Sequence, residues 1–252
     1  MTKTIAVAGK GGTGKTTFSA ILIQLLAARG SVLAIDADPS TNLHMALGLN
    51  IDGTVGDARE EMLVAIRGGS WDVSLDKRAY LDLKVAESLV ESTGLDLLVM
   101  GRPEGPGCYC AANNMLRANI DKLTRSYDYV VIDNEAGLEH LSRQMTRDVD
   151  YLFLVSDTSL RGIVAASRAQ ELVRELKSSV GKIGLVVNRV PGELPVELRQ
   201  AVADRGMSLW ASLPQDPAVA ALDAHGGAIG DLPADSPLRL AVGQVAHEVG
   251  LT

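Results

Sequence analysis

The chain has 252 residues, 46% of them hydrophobic, and carries a formal net charge of −7, which suits a single α/β domain spanning residues 1–252. Its acidic balance, with no block of Lys or Arg, argues against a nucleic acid or an anionic membrane as partner. No apolar run approaches the ~20 residues of a membrane span, and Met1 leads into the first strand without an apolar leader, so a cytoplasmic location is expected.

Short Val, Ile and Leu runs alternate with stretches of helical period, which predicts an α/β fold with a mostly parallel, doubly wound sheet and helices on both faces. Strands are predicted near Lys3–Ala8, Ser31–Asp36, Asp96–Met100, Tyr129–Asp133, Tyr151–Ser156, Ile183–Asn188 and Met207–Ser212. Helices are predicted at Lys15–Arg29, Ala112–Arg125, Ile163–Lys177 and Leu238–Val249, where apolar residues recur every three or four positions. The segment Asn50–Gly94, with charges between scattered Leu and Val, is expected to be a helical elaboration outside the sheet.

Between the first strand and the first helix lies Gly9-Lys10-Gly11-Gly12-Thr13-Gly14-Lys15-Thr16-Thr17, the phosphate-loop pattern in the context that its mechanism requires. Its glycines let successive backbone N–H groups curl around phosphates, and the helix N-terminus adds partial positive charge at the same spot. ATP or ADP with Mg²⁺ is the expected ligand, Lys15 bridging the β and γ oxygens and Thr16 ligating the ion.

Two acidic sites follow at the carboxyl ends of later strands, where open α/β sheets bind ligands. Asp36 and Asp38, in Ile35-Asp36-Ala37-Asp38-Pro39, are placed to reach the Mg²⁺ sphere and to orient the attacking water, respectively. Val130-Val131-Ile132-Asp133 is an apolar strand ending in a second Mg²⁺ carboxylate, and Gly137 follows where a backbone amide can sense the γ-phosphate.

The two cysteines, Cys108 and Cys110, stand in Gly105-Pro106-Gly107-Cys108-Tyr109-Cys110, too few and too close for a disulfide framework. In an extended segment, residues two apart point to one side, and a helix start nearby favours thiolates. A closed Zn²⁺ or iron–sulfur site wants four sulfurs, so one chain supplies half and a two-fold dimer supplies the rest. A buried pair of small side chains and a redox dithiol are the other readings of the same motif. The four histidines, His44, His140, His225 and His247, show no ligand spacing.

Lys10, a second lysine early in the loop, resembles the deviant Walker A family that includes the nitrogenase iron protein and the MinD and ParA positioning ATPases. That resemblance implies a homodimer in which Lys10 reaches the partner's nucleotide. It also implies that Asp38 activates water, and that Asn188 and the run Leu213-Pro214-Gln215-Asp216 contact the adenine, through Asn188, Pro214 and Asp216. Together with Cys-x-Cys and Asp133-Asn134-Glu135-Ala136-Gly137-Leu138-Glu139-His140, the loop is similar to the CooC type of carbon monoxide dehydrogenase accessory ATPase. The implied role is ATP-dependent insertion of nickel, with Ni²⁺ or Zn²⁺ held by Cys108 and Cys110 at the dimer interface, into apo carbon monoxide dehydrogenase or acetyl-CoA synthase. An ATP-gated iron–sulfur electron-transfer protein and a MinD- or ParA-like positioning switch are the alternatives.

Overall fold

The computed structural model describes residues 1–72, 74–101, 110–135, 148–175 and 179–252. In chain order the elements begin β1 (Lys3–Gly9), α1 (Lys15–Ala27), β2 (Val32–Ala37), α2 (Leu43–Leu47), α3 (Val55–Arg67), α4 (Lys77–Glu87), β3 (Leu89–Ser92), β4 (Leu95–Val99) and α5 (Cys110–Thr124). They continue β5 (Tyr129–Asn134), β6 (Asp148–Ser156), α6 (Leu160–Glu175), β7 (Ser179–Val190), α7 (Val196–Ala203), β8 (Leu209–Pro214), α8 (Pro217–His225) and α9 (Pro237–Glu248). The sheet runs β3-β4-β2-β5-β1-β6-β7-β8, parallel throughout except for the antiparallel pair β3 and β4.

Alternation along each strand divides the core between the two faces. Ile5 and Val7 of β1 join α1 and α9 on one face, in a cluster built on Phe18, Leu22, Phe153 and Val242. Ala6 and Ala8, their neighbours, meet Ile163 and Ala166 of α6 on the other. Beyond β1 that second face is covered by α3, α4 and α5, through Met62, Leu81, Leu116 and their neighbours. Helix α1 buries residues on almost every side because the sheet, α2 and α9 all touch it, so it has little amphipathic contrast. No helix among the described residues is long and apolar enough to cross a membrane.

The seven predicted strands are present with shifted ends, but the expectation for Asn50–Gly94 needs correcting. This segment supplies an edge strand, β3, and α3 and α4 form part of the layer on the sheet. Helix α4 runs into β3 through Ser88 alone, without a Gly or Pro break. The hairpin that follows turns on Thr93-Gly94, with Gly94 left-handed at φ 75°.

Candidate functional site

The phosphate loop leaves β1 at Gly9, whose φ is 151° and whose missing side chain matters: a Cβ there would lie 2.1 Å from the Val155 carbonyl oxygen. It enters α1 at Gly14, left-handed at φ 87° and with no side chain capping the helix. The first N–H groups of α1 are thus left open for an anion, which is how helix N-termini hold phosphates. Inside the loop the Lys10 carbonyl accepts from Thr13 Oγ1 at 2.9 Å and from Lys15 Nζ at 3.4 Å. The Lys10 side chain is exposed.

Lys15 is buried, which lowers its pKa, while Asp133, Asp38 and Glu135 oppose the shift through their charges. Asp133 is 1% exposed. Burial raises its pKa to about 7 against hydrogen bonds from Thr16 and Ser19, and the neighbouring Asp36 pushes the same way as burial. Ser19 Oγ donates to Asp133 Oδ1 at 2.9 Å. Asp36 and Asp133 are direct partners across β2 and β5, so two buried carboxylates stand side by side beneath the loop.

Asp36 already has backbone donors on both oxygens, from Asp38 N and Leu43 N, each at 3.0 Å. Burial raises its pKa in spite of them. Asp38 lies beyond the strand end, its Oδ1 accepting from Ser40 N at 2.8 Å, and Thr41 turns the chain with a left-handed φ of 49°. Asp36 therefore organises the loop that carries Asp38, a role beyond the ion contact expected of it.

On the other side of α1 a cavity of about 270 Å³ is lined by residues that include Thr17, Asn188, Pro214 and Asp216, so the structure brings the expected base-contacting residues together. The polar groups of two of them are already engaged. Asn188 Nδ2 donates to the Thr13 carbonyl at 2.9 Å and its Oδ1 accepts from Arg189 N at 2.9 Å. Asp216 caps two helices at once: Oδ1 accepts from Ala218 N at 2.9 Å, and Oδ2 from Ser236 Oγ at 2.5 Å and Leu238 N at 3.3 Å. Burial would raise the Asp216 pKa, but these three bonds outweigh it and hold the carboxyl below its usual value.

Cys108, Gly137 and His140 lie outside the described residues, and Cys110 is the first residue of α5. Among the described residues no three His, Cys, Asp or Glu side chains come together as a metal site. Sequence reasoning passed over Ser19, Asn134 and Arg189. Ser19 was within reach of it, lying one helical turn after Lys15 and Thr16 on the same face. Asn134 is buried and donates to the Val7 carbonyl at 3.0 Å, tying β5 to the strand that ends in the phosphate loop.

A family model described as the CobQ/CobB/MinD/ParA nucleotide binding domain matches residues 4–229. The chain is 42% identical over 246 residues to an uncharacterized ATP-binding protein of Methanocaldococcus jannaschii, covering 97% of each. It is 33% identical over 241 residues to the carbon monoxide dehydrogenase accessory protein CooC of Rhodospirillum rubrum, covering 90% of this chain and 89% of that one. The septum site-determining protein MinD of Pyrococcus horikoshii, solved with Mg-ADP, superposes with a TM-score of 0.70 at 21% identity, covering 99% of this chain and 96% of that one, a likeness of fold. With its phosphate loop, its paired carboxylates and a cavity beside Asn188, Pro214 and Asp216, the chain belongs to the CobQ/CobB/MinD/ParA nucleotide-binding family and is a P-loop ATPase.

Proposed function

We propose that the chain is an ATP-switched metal carrier. Two copies close around ATP, and Cys108 and Cys110 of each present Ni²⁺ or Zn²⁺ as cargo for an apo Ni–Fe–S enzyme, carbon monoxide dehydrogenase or acetyl-CoA synthase. The observation that carries the reading is one hydrogen bond: Met100 N donates to the Asp36 carbonyl at 2.8 Å. The chain that runs on to the cysteines thus leaves the sheet tied to the backbone of a nucleotide-site residue. A shift in the Asp36–Asp38 loop on ATP binding or hydrolysis would be felt at Met100, eight residues before Cys108 in the sequence. The identity of 33% to CooC supports the same reading.

The residues present fit Mg²⁺: Asp133 is a buried carboxylate beside the Thr16 hydroxyl, with a pKa raised by burial and by the neighbouring Asp36, both of which a bound cation would offset. Thr16 and Asp133 would hold the ion, with Asp36 beside them, and the ion would neutralise phosphate charge. Lys15 binds the β and γ oxygens, Asp38 orients the attacking water, and exposed Lys10 reaches the partner's nucleotide. The test is Ni²⁺ and Zn²⁺ binding by dialysis, with and without Mg-ATP, for the native chain and for Cys108→Ala/Cys110→Ala. One ion per two chains, lost in the double variant while ATP hydrolysis persists, is expected. Undiminished metal binding in the variant overturns the cargo reading, and ATP-dependent sedimentation with anionic vesicles would assign a positioning role instead.

A further inference from the structure

Strand β7 is irregular where it passes the phosphate loop. Val187 pairs with Ser212 and Val190 with Pro214, so Asn188 and Arg189 together stand opposite the single residue Leu213, as in a β-bulge. Arg189 has a left-handed φ of 59°, an unfavourable backbone for any residue with a side chain. Regular strand geometry would send consecutive side chains to opposite faces. Here both go to the same place: Asn188 Nδ2 donates to the Thr13 carbonyl at 2.9 Å, and Arg189 Nη1 to the Gly12 carbonyl at 3.1 Å. Bulges re-aim side chains next to active sites, and this one aims two donors at consecutive carbonyls.

We infer that Asn188 and Arg189 are positioning residues that hold the phosphate loop from its outer side, and that Arg189 sets the loop's affinity for polyphosphate rather than its recognition of the base. A phosphate loop presents its N–H groups inward to the anion, which turns carbonyls outward. Left alone, those carbonyls are free to rotate and carry the amides with them. Fixing Gly12 and Thr13 from β7 keeps the amides aimed before the anion arrives, which lowers the ordering cost of binding. Asn188 is 4% exposed and sits against Gly14, where a Cβ would lie 2.4 Å from its Nδ2. Arg189 is exposed, so its bond can be deleted without opening the core. Both residues also wall the base-side cavity, so the latch joins the base half of the site to the phosphate half.

The inference rests on nucleotide binding alone, not on the metal cargo. Arg189→Met keeps the aliphatic stem and the backbone strain but removes the donors, and Arg189→Lys restores one. The measurement is calorimetric binding of Mg-ATP and of inorganic tripolyphosphate with Mg²⁺, the latter having no base. Arg189→Met is expected to weaken both by about tenfold, as loss of one charged hydrogen bond implies. Arg189→Lys should recover most of that loss, and the ligand-free thermal midpoint should stay within about 2 °C of the native chain for this exposed position. Weakened ATP binding with unchanged tripolyphosphate binding would make Arg189 a base contact and overturn the inference, as would no effect on either ligand or a midpoint that falls with affinity. Failure of the native chain to bind either ligand would instead remove the nucleotide reading itself.

Discussion

Ser19 Oγ donates to Asp133 Oδ1 across 2.9 Å, and both residues are buried to within 1% of complete exclusion from solvent. The bond joins the second turn of α1 to the end of β5. The Thr16 hydroxyl bonds to the same carboxyl group. Ser19→Ala is expected to raise the Mg²⁺ concentration needed for half-maximal ATP hydrolysis by roughly tenfold, the value of one hydrogen bond to a charged group. A Mg²⁺ titration of hydrolysis at saturating ATP measures it. An unchanged Mg²⁺ requirement would show that the bond serves the fold alone.

The raised pKa of Asp133 makes a prediction about pH. In the folded chain the carboxyl holds its proton up to about pH 7, whereas its ordinary value is 3.8. Between those values the folded state binds more protons than the unfolded state, so stability falls as pH rises from about 4 to about 7 and levels off above. The contribution is on the order of a few kcal/mol. Asp133→Asn, which needs no proton, should flatten that slope in urea unfolding of the nucleotide-free protein while abolishing Mg-ATP binding. An identical slope in the variant would mean that Asp133 is ionised throughout the range.

Much of this site is visible in the sequence because its chemistry uses local patterns. Gly9–Thr17 lies within nine consecutive residues, and Asp133 ends an apolar run. What escapes the sequence depends on distant partners. Asp216 reads as part of a base-contacting run, yet its carboxylate is held by Ser236 and Leu238, twenty and twenty-two residues on. Arg189 carries no motif, and only the bulge that turns it onto Gly12 gives it a task. Strand β3 is hidden for a different reason: Leu89–Ser92 has four residues, none fully buried, so neither run length nor alternation distinguishes it from the end of α4.

Asp216→Ala is expected to destabilise the chain by about 2–3 kcal/mol, since one substitution removes caps from α8 and α9 and leaves Ser236 Oγ without its acceptor. Thermal unfolding reads this directly. Because the folded carboxyl lies below its usual value, its stabilisation is present above the unfolded pKa and is lost as pH falls through the folded one. The difference between native and variant chains should therefore shrink toward acid pH. A difference that stays constant down to pH 2 would assign the loss to packing instead.

The loop glycines form a graded series, because the space beside each differs. At Gly12, φ 78°, an added Cβ meets nothing within 4 Å, so Gly12→Ala carries only the left-handed backbone cost of about 1–2 kcal/mol. At Gly14, φ 87°, the Cβ also meets the Asn188 amide at 2.4 Å, a side-chain atom that can move but whose movement releases Thr13. At Gly9 the Cβ meets the Val155 carbonyl oxygen at 2.1 Å, which belongs to the backbone of the paired strand β6 and can yield only by parting the sheet. Stability should thus fall in the order Gly12→Ala, Gly14→Ala, Gly9→Ala by thermal unfolding. ATP affinity should drop disproportionately at Gly14, where the loss of folding stability is moderate but the hold on the phosphate loop is broken. Equal losses of ATP affinity in the Gly12 and Gly14 variants would show that backbone strain, and not the contact with Asn188, governs the loop.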